Sequence, residues 1–335
     1  MRPGEEIDTN RLASWLGAGP IEVEQFLGGH SNLTYLIRTL DSEYVLRRPP
    51  IGPVPPKAHD MAREYRVLER IQPFFPVAPK VYRLCDDSSV IGAPFFLMER
   101  RIGFVPRNGC PVDATQVSRA FMDCFVALHA VDVQSTGLIS LGKPDGFLQR
   151  QVHGWADRWR RAKTDDAPDA EPLISFLANN IPDPLPCTIV HNDFKLDNLM
   201  LDPADHQRVT AVLDWEMTTV GDPLVDVGLS LCYWTSGRAG GPDLSLPGWY
   251  TRDEFIREYA SRTGRDLSNI RWYEILGIFK LAVILQQIYG RWKAGQTRDV
   301  RFSTLIGDVR TLLDHAGDCK RNIYNSAETF PSGLR

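Results

Sequence analysis

Val190-His191-Asn192-Asp193-Phe194-Lys195-Leu196-Asp197-Asn198-Leu199-Met200 decides how the rest of this chain reads. An apolar strand enters a polar loop and a second apolar strand leaves it. His191, Asp193 and Asn198 stand at the spacing H-x-D-x-x-x-x-N. In such a loop a carboxylate can orient a hydroxyl and accept its proton. A neutral amide oxygen a few residues later can ligate a divalent cation without adding another negative charge. Lys195 falls between them, where an ammonium would offset charge on a reacting group. Taken alone, the stretch also reads as a polar turn between two strands.

The next segment outward weighs against a plain turn. Val209-Thr210-Ala211-Val212-Leu213 is an apolar strand that ends in Asp214, followed by Trp215 and Glu216. The separation from Asn198 to Asp214 suits a β-hairpin, so both would face one cleft. Mg²⁺ bridging the β- and γ-phosphates of a nucleotide needs ligands of this kind. We therefore expect Asn198 and Asp214 to hold metal and Asp193 and Lys195 to be catalytic. The other reading of Asp214 is a turn residue ending a strand. Glu216 stays open between metal ligand and supporting group. The loop spacing is also that of protein-kinase catalytic loops, which points to phosphoryl transfer onto a hydroxyl.

The first third of the chain predicts strands around one helix. Ile21 to Gly29 and Leu33 to Leu40 read as strands around a Gly28-Gly29 break, with a turn at Asp41-Ser42 before Glu43 to Arg47. Pro49 to Pro56 is too proline-rich for a regular element. Ala58 to Ile71 places Met61, Tyr65, Leu68 and Ile71 on one helical face. Val81 to Leu84 and Pro94 to Glu99 are further strands. Phe95-Phe96-Leu97-Met98, apolar on both faces, should lie centrally in the sheet. After Arg101 the pattern turns helical, over Val112 to Val131, Phe147 to Lys163, Trp272 to Lys293 and Phe302 to His315. Short strands surround the loop and Asp214. The tail from Asp318 reads as weakly structured. The expected fold is α+β and bilobal. A small β-rich lobe with one main helix, residues 1–101, precedes a larger, mostly helical lobe, residues 102–335. No internal repeat is visible.

Taken in order, His191-Asn192-Asp193 through Asn198, Leu213-Asp214-Trp215-Glu216 and Gly221-Asp222-Pro223-Leu224-Val225-Asp226 resemble the aminoglycoside phosphotransferase and choline kinase superfamily, which has a protein-kinase-like fold. Many bacterial members begin the first motif His-Gly-Asp, so Asn192 is a departure. Arg47-Arg48-Pro49-Pro50, Ala58 to Tyr65 and Tyr289-Gly290-Arg291-Trp292 resemble one subgroup, the kinase-like domains fused to acyl-CoA dehydrogenases. That likeness implies phosphorylation of a hydroxylated acyl-type metabolite rather than an antibiotic, with aminoglycoside-like or amino-alcohol acceptors as the alternative. It also implies ATP (or GTP) and Mg²⁺ as cofactors.

The resemblance further implies a nucleotide pocket. Such kinases use a lysine against the α- and β-phosphates, paired with a helix glutamate. Arg47 stands at that place, with Glu64 as its partner. Arginine is permanently charged and forks to phosphate, so the role survives; a surface ion pair is the other reading. Gly28, Gly29 and Ser31 match a phosphate-covering loop, or equally a hairpin turn. Glu99 and Arg101 would meet adenine through backbone groups, with Met98 behind the ring. Asp222 would cap a helix ahead of Pro223, and Asp226 would hold the catalytic-loop backbone. Trp155 and Trp159 read as packing or cleft wall, His129 as a structural histidine and His59 as an unassigned neighbour of phosphate.

Two other functions compete. The arginine at position 47 and the reduced glycine loop suit a nucleotide-binding pseudo-kinase or regulatory module, against which stand Asp193, Asn198 and Asp214. A protein kinase is disfavoured because Asp214-Trp215-Glu216 replaces Asp-Phe-Gly and no Ala-Pro-Glu follows. A net charge of -4 and a pI near 6.0 do not suit bulk nucleic-acid binding. The opening residues lack the apolar core of a signal peptide, and no run approaches a membrane span. The six cysteines show no C-x-x-C pairing and suit free thiols in a reducing cytoplasm. The expected partner is a small-molecule hydroxyl substrate, with no nucleic acid and no membrane, on a monomer or homodimer.

Overall fold

The interior strand Phe95–Glu99 of the N-terminal sheet shows why that sheet forms. In a strand, alternate side chains point to opposite faces. Phe95 and Leu97 join a core with Ile7, Leu12, Tyr35, Ile37 and Leu46, whereas the Phe96 ring meets Tyr65 on a helix. Both faces of this strand are therefore covered, as its unbroken apolar run demands. The computed structural model describes residues 2–26, 32–51, 59–107, 110–235, 242–297 and 299–326.

In chain order the elements are α1 (Thr9–Leu16), β1 (Glu22–Gln25), β2 (Leu33–Arg38), β3 (Glu43–Arg48), α2 (Met61–Ile71), β4 (Val81–Cys85), β5 (Phe95–Glu99) and α3 (Ala114–His129). There follow α4 (Phe147–Ala162), α5 (Glu171–Asn179), β6 (Thr188–Val190), β7 (Leu199–Leu201), β8 (Val209–Val212) and β9 (Thr219–Gly221). The chain closes with α6 (Leu224–Thr235), α7 (Arg252–Thr263), α8 (Ile270–Lys293) and α9 (Leu305–Ser326). The class is α+β: a five-stranded antiparallel sheet in the order β1-β2-β3-β5-β4, then mostly helices. None of the described helices is long and apolar enough to cross a membrane.

The chain packs as two compact units. The first is Met1–Val131 with Leu196–Thr218; the second is Asp132–Lys195 with Thr219–Arg335. Backbone pairing explains why the β7–β8 hairpin joins the first unit. Phe104 bridges to Leu201, and Val212 N–H donates to Val77 O at 3.0 Å. The compact units thus do not coincide with a cut at residue 101.

Three expectations about elements need correction. The first third holds α1 as well as the one helix expected. Asp8 caps it by accepting from Arg11 N–H, and Gly17 ends it at φ 71°. Its single fully buried side chain, Leu12, left too little periodicity to read. Next, α2 begins at Met61, after His59 and Asp60, because the Asp60 carboxylate takes Arg63 N–H and sets the start; Ala58, the expected start, lies outside the described residues. Finally, the tail is helical through Ser326. Val309, Ala316 and Cys319 are buried on a helix that packs against α8, so a stretch that looks polar still carries one apolar stripe.

In the second unit α8 is the hub, packing against α4, α6 and α9. It is buried almost without interruption from Ile270 to Val283, with Glu274 and Lys280 among the buried side chains. Its contact with α6 is close because both sides lack a side chain. A Cβ on Gly228 would lie 2.3 Å from Tyr273 O, and one on Gly277 would lie 2.9 Å from Gly228 O. Gly228→Ala is therefore expected to destabilise the protein by about 1–3 kcal/mol through overpacking. Gly307→Ala, on α9 with nothing within 4 Å, should instead raise stability by about 0.5 kcal/mol. Urea unfolding of both variants checks the pair.

Candidate active site

The loop after β6 is held by its backbone. β6 pairs with β9, Val190 opposite Thr219, and the chain then turns away from the sheet. The His191 N–H donates to Asp226 Oδ2 at 2.6 Å and the Asn192 N–H to Asp226 Oδ1 at 2.7 Å. One buried carboxylate on α6 thus receives two consecutive peptides, the supporting role expected of Asp226. Asp222 accepts from Leu224 N–H at 2.9 Å, Leu185 N–H at 2.9 Å and Tyr273 OH at 2.8 Å. Burial raises its pKa against these donors.

Asn192 has φ 67°, a left-handed conformation that asparagine tolerates better than most residues. Asp193 follows. Its carboxylate accepts from Lys195 Nζ at 2.9 Å and from Tyr233 OH at 3.0 Å. Burial alone would raise the Asp193 pKa, but Lys195, His191 and Tyr233 together hold it below the ordinary aspartate value. The loop continues under a bond from Ser230 Oγ to Phe194 O at 2.7 Å.

A second group gathers in the first unit. The β7–β8 register sets Leu199 opposite Val212, and Leu213 N–H donates to Asn198 O at 2.8 Å. The hairpin therefore brings Asn198 next to Leu213 and Asp214, as the spacing predicted. Asp214, at φ 67°, is one of the described non-glycine residues with left-handed backbone. Strain of this kind persists where the surroundings over-determine it, often at functional sites. Arg47, on β3, donates from Nε to Glu64 Oε2 at 2.9 Å and from Nη2 to Asp214 Oδ1 at 2.6 Å. Burial opposes the Arg47 charge, yet Glu64 and Asp214 hold its pKa above the usual arginine value. Glu64 is only 2% exposed; burial outweighs the pull of Arg47 and pushes its pKa up to about 7. Glu216 accepts from Asn32 Nδ2 at 3.0 Å and lies 3.5 Å from His59 Nδ1. Burial would raise its pKa, but His59, Arg47 and Asn32 bring it below the ordinary value.

Of the other residues expected at the nucleotide pocket, Met98 and Glu99 lie on β5 and Arg101 just after it. Met98 is buried, and the register pairs Val45 with Met98 and Arg47 with Phe96, so Met98 shares the sheet face of Arg47. The Glu99 N–H donates to Lys80 O at 2.7 Å. The Arg101 guanidinium meets Glu99 Oε2 at 3.0 Å and Pro76 O at 2.7 Å, so its side chain serves the turn after α2. Gly28, Gly29 and Ser31 lie outside the described residues. His129 and Trp159 are buried packing groups against Phe125 and Phe279.

Sequence reasoning missed four contributors. Tyr233 reaches Asp193, and Asn32 reaches Glu216. Arg63 donates to the carbonyls of Glu216 and Thr218. Lys280, on α8, donates to Asn192 O at 2.9 Å and Asn192 Oδ1 at 3.0 Å. A signal existed only for Lys280, the sole charge in the apolar run Gly277-Ile278-Phe279-Lys280-Leu281-Ala282-Val283.

The Phosphotransferase enzyme family (APH) matches residues 22–273. Acyl-CoA dehydrogenase family member 10 of Mus musculus is 37% identical over 291 residues, covering 83% of this chain and 27% of that protein. Acyl-CoA dehydrogenase family member 11 of Gallus gallus is 32% identical over 333 residues, covering 94% and 43%. The chain thus spans less than half the length of these relatives. A solved structure from Ralstonia eutropha, assigned to the aminoglycoside phosphotransferases, superposes with a TM-score of 0.80 at 31% identity, covering 95% of this chain and 99% of that one. Aminoglycoside phosphotransferase APH(4)-Ia, solved with AMP-PNP and hygromycin B, shares the fold at a TM-score of 0.60 and 17% identity, over 92% and 98% of the chains.

Removing the cation that Glu64 and Asp214 share leaves a buried carboxylate uncompensated. Arg47→Met is expected to cost about 3–5 kcal/mol of stability. Adding Glu64→Gln should restore a large part of it. The two urea midpoints check this.

Proposed function

The chain belongs to the Phosphotransferase enzyme family, and from that premise we propose that it transfers the γ-phosphoryl of ATP to a hydroxyl of a small molecule. One observation carries the reading: a half-buried carboxylate, Asp193, is kept ionised by Lys195 and Tyr233 on a loop whose backbone is pinned by Asp226. Asp193 orients the acceptor hydroxyl and takes its proton as the oxygen bonds to phosphorus. Lys195 holds Asp193 ionised and offers positive charge to the transferred group. Arg47, steadied by Glu64, presents its fork to the nucleotide phosphates. The glycine loop and the Met98 to Arg101 strand end remain the proposed nucleotide cover and adenine site.

Asn198 and Asp214 would hold Mg²⁺, with Glu216 beside them. The donor set fits, since amide and carboxylate oxygens are the hard ligands this ion takes. Bound there, Mg²⁺ would supply charge neutralisation on the phosphates. GTP is the alternative donor. For the acceptor we favour a hydroxylated acyl-type metabolite, supported by the acyl-CoA chemistry in the names of the 37% and 32% identical relatives. The six free cysteines suit a reducing, cytoplasmic setting.

ADP release, coupled to a spectroscopic readout, should rise with an acceptor when hydroxyacyl-CoAs, amino alcohols, sugars and aminoglycosides are screened. Asp193→Ala should lower that turnover by about 10²–10⁴-fold while calorimetry shows nucleotide still bound. Undiminished turnover in Asp193→Ala would sink the assignment. Nucleotide binding with no acceptor response in any class would favour a regulatory module.

A further inference from the structure

Lys280 is a lysine with its side chain 2% exposed, in the middle of the most buried helix of the second unit. Burying an amine is costly unless it is bonded. Among the described residues its hydrogen-bond acceptors are both on Asn192, the backbone carbonyl and the side-chain carbonyl. The N–H of that same residue ends on Asp226. Asn192 is thus gripped at its N–H by an anion from α6 and at its C=O by a cation from α8. Both helices reach it because α6 and α8 meet at Gly228 and Gly277, where any larger residue would hold them apart. The next residue is Asp193.

Resting on the reading of Asp193 as the proton acceptor, we propose that Lys280 is a positioning residue that fixes Asn192 in its left-handed conformation and thereby aims Asp193. Glycine adopts that conformation freely, whereas asparagine needs surroundings that hold it. Lys280 supplies that hold for a loop built with asparagine at this position. The groups facing its ammonium are Asp226 from α6, Asp193 and Lys195 from the loop, and Arg158 from α4. The Trp155 ring lies 5.5 Å away. Burial lowers the Lys280 pKa to about 8 against the attraction of Asp226 and Asp193. The grip is therefore complete below that pH and weakens as the ammonium loses its proton above it.

The test uses the full chain with MgATP, reading ADP release with water and with a hydroxyacyl-CoA as acceptor, beside the backbone amide signal of Asn192 in NMR. In the wild type, the Asn192 signal should titrate near pH 8 and kcat should fall through the same range. Lys280→Met should remove the titration and lower kcat by about 10²-fold, with nucleotide KM within about threefold. In an Asn192→Gly background, Lys280→Met should cost about tenfold or less relative to Asn192→Gly alone. An Asn192 signal flat across pH 7–9 in the wild type overturns the proposal. So does an unchanged kcat in Lys280→Met, or the same loss in both backgrounds, which marks a role in packing alone. Should Lys280→Met not fold, Lys280→Gln keeps a donor without the charge. Persistence of the pH 8 titration in that variant also overturns the proposal. Asp193→Ala separates the two readings: if it stays active, the proton-acceptor role fails; if it is inactive while Lys280→Met is unimpaired, only the positioning role fails.

Discussion

Asp226 is the group on which the loop depends. A loop leaving a three-residue strand has few backbone partners of its own, and buried N–H groups must be satisfied. Both carboxylate oxygens of Asp226 meet that need at consecutive peptides. The neighbouring Asp222 ties the start of the same helix to Leu185 and Tyr273. Two carboxylates at the start of α6 thus set where the strand before the loop ends and where the loop turns. Asp193 inherits its position from that anchoring, and its own N–H closes onto His191 Nδ1 at 3.3 Å.

Charge is arranged around a few shared partners. Arg47 serves Glu64 and Asp214 together, which a lysine point charge would do with less geometric definition. Glu216, two residues past Asp214, is held by Asn32 and His59. Carboxylates so close together repel one another, and the Glu64 pKa near 7 reflects burial together with the nearby Asp214 and Glu216. A bound cation would relieve that repulsion, which agrees with the metal role proposed for Asp214.

Much of this was legible without coordinates. The apolar run at Phe95 to Met98 demanded a covered strand. The loop spacing and the strand ending at Asp214 predicted a hairpin that brings Asn198 and Asp214 together, and the register does so. The family resemblance implied that Arg47 pairs with Glu64, and the two meet at 2.9 Å. What was not legible has a common cause. The Arg101 side chain folds onto Pro76, a contact set by how the turn after α2 packs. The stretch from Asp318 looked polar because the buried side chain it offers the helix, among the described residues, is Cys319.

By itself the sequence determined most of the elements, the residue types of the loop and the pairs that lie a hairpin apart, because periodicity and turn chemistry act over a few residues. Tertiary structure alone decided the partners: Lys280 with Asn192 across 88 residues, Tyr233 with Asp193 across 40, and Asn32 with Glu216 across 184. Such bonds depend on which helix faces which strand. That is settled by packing, here by the bare glycine contact between α6 and α8, and no local pattern encodes it.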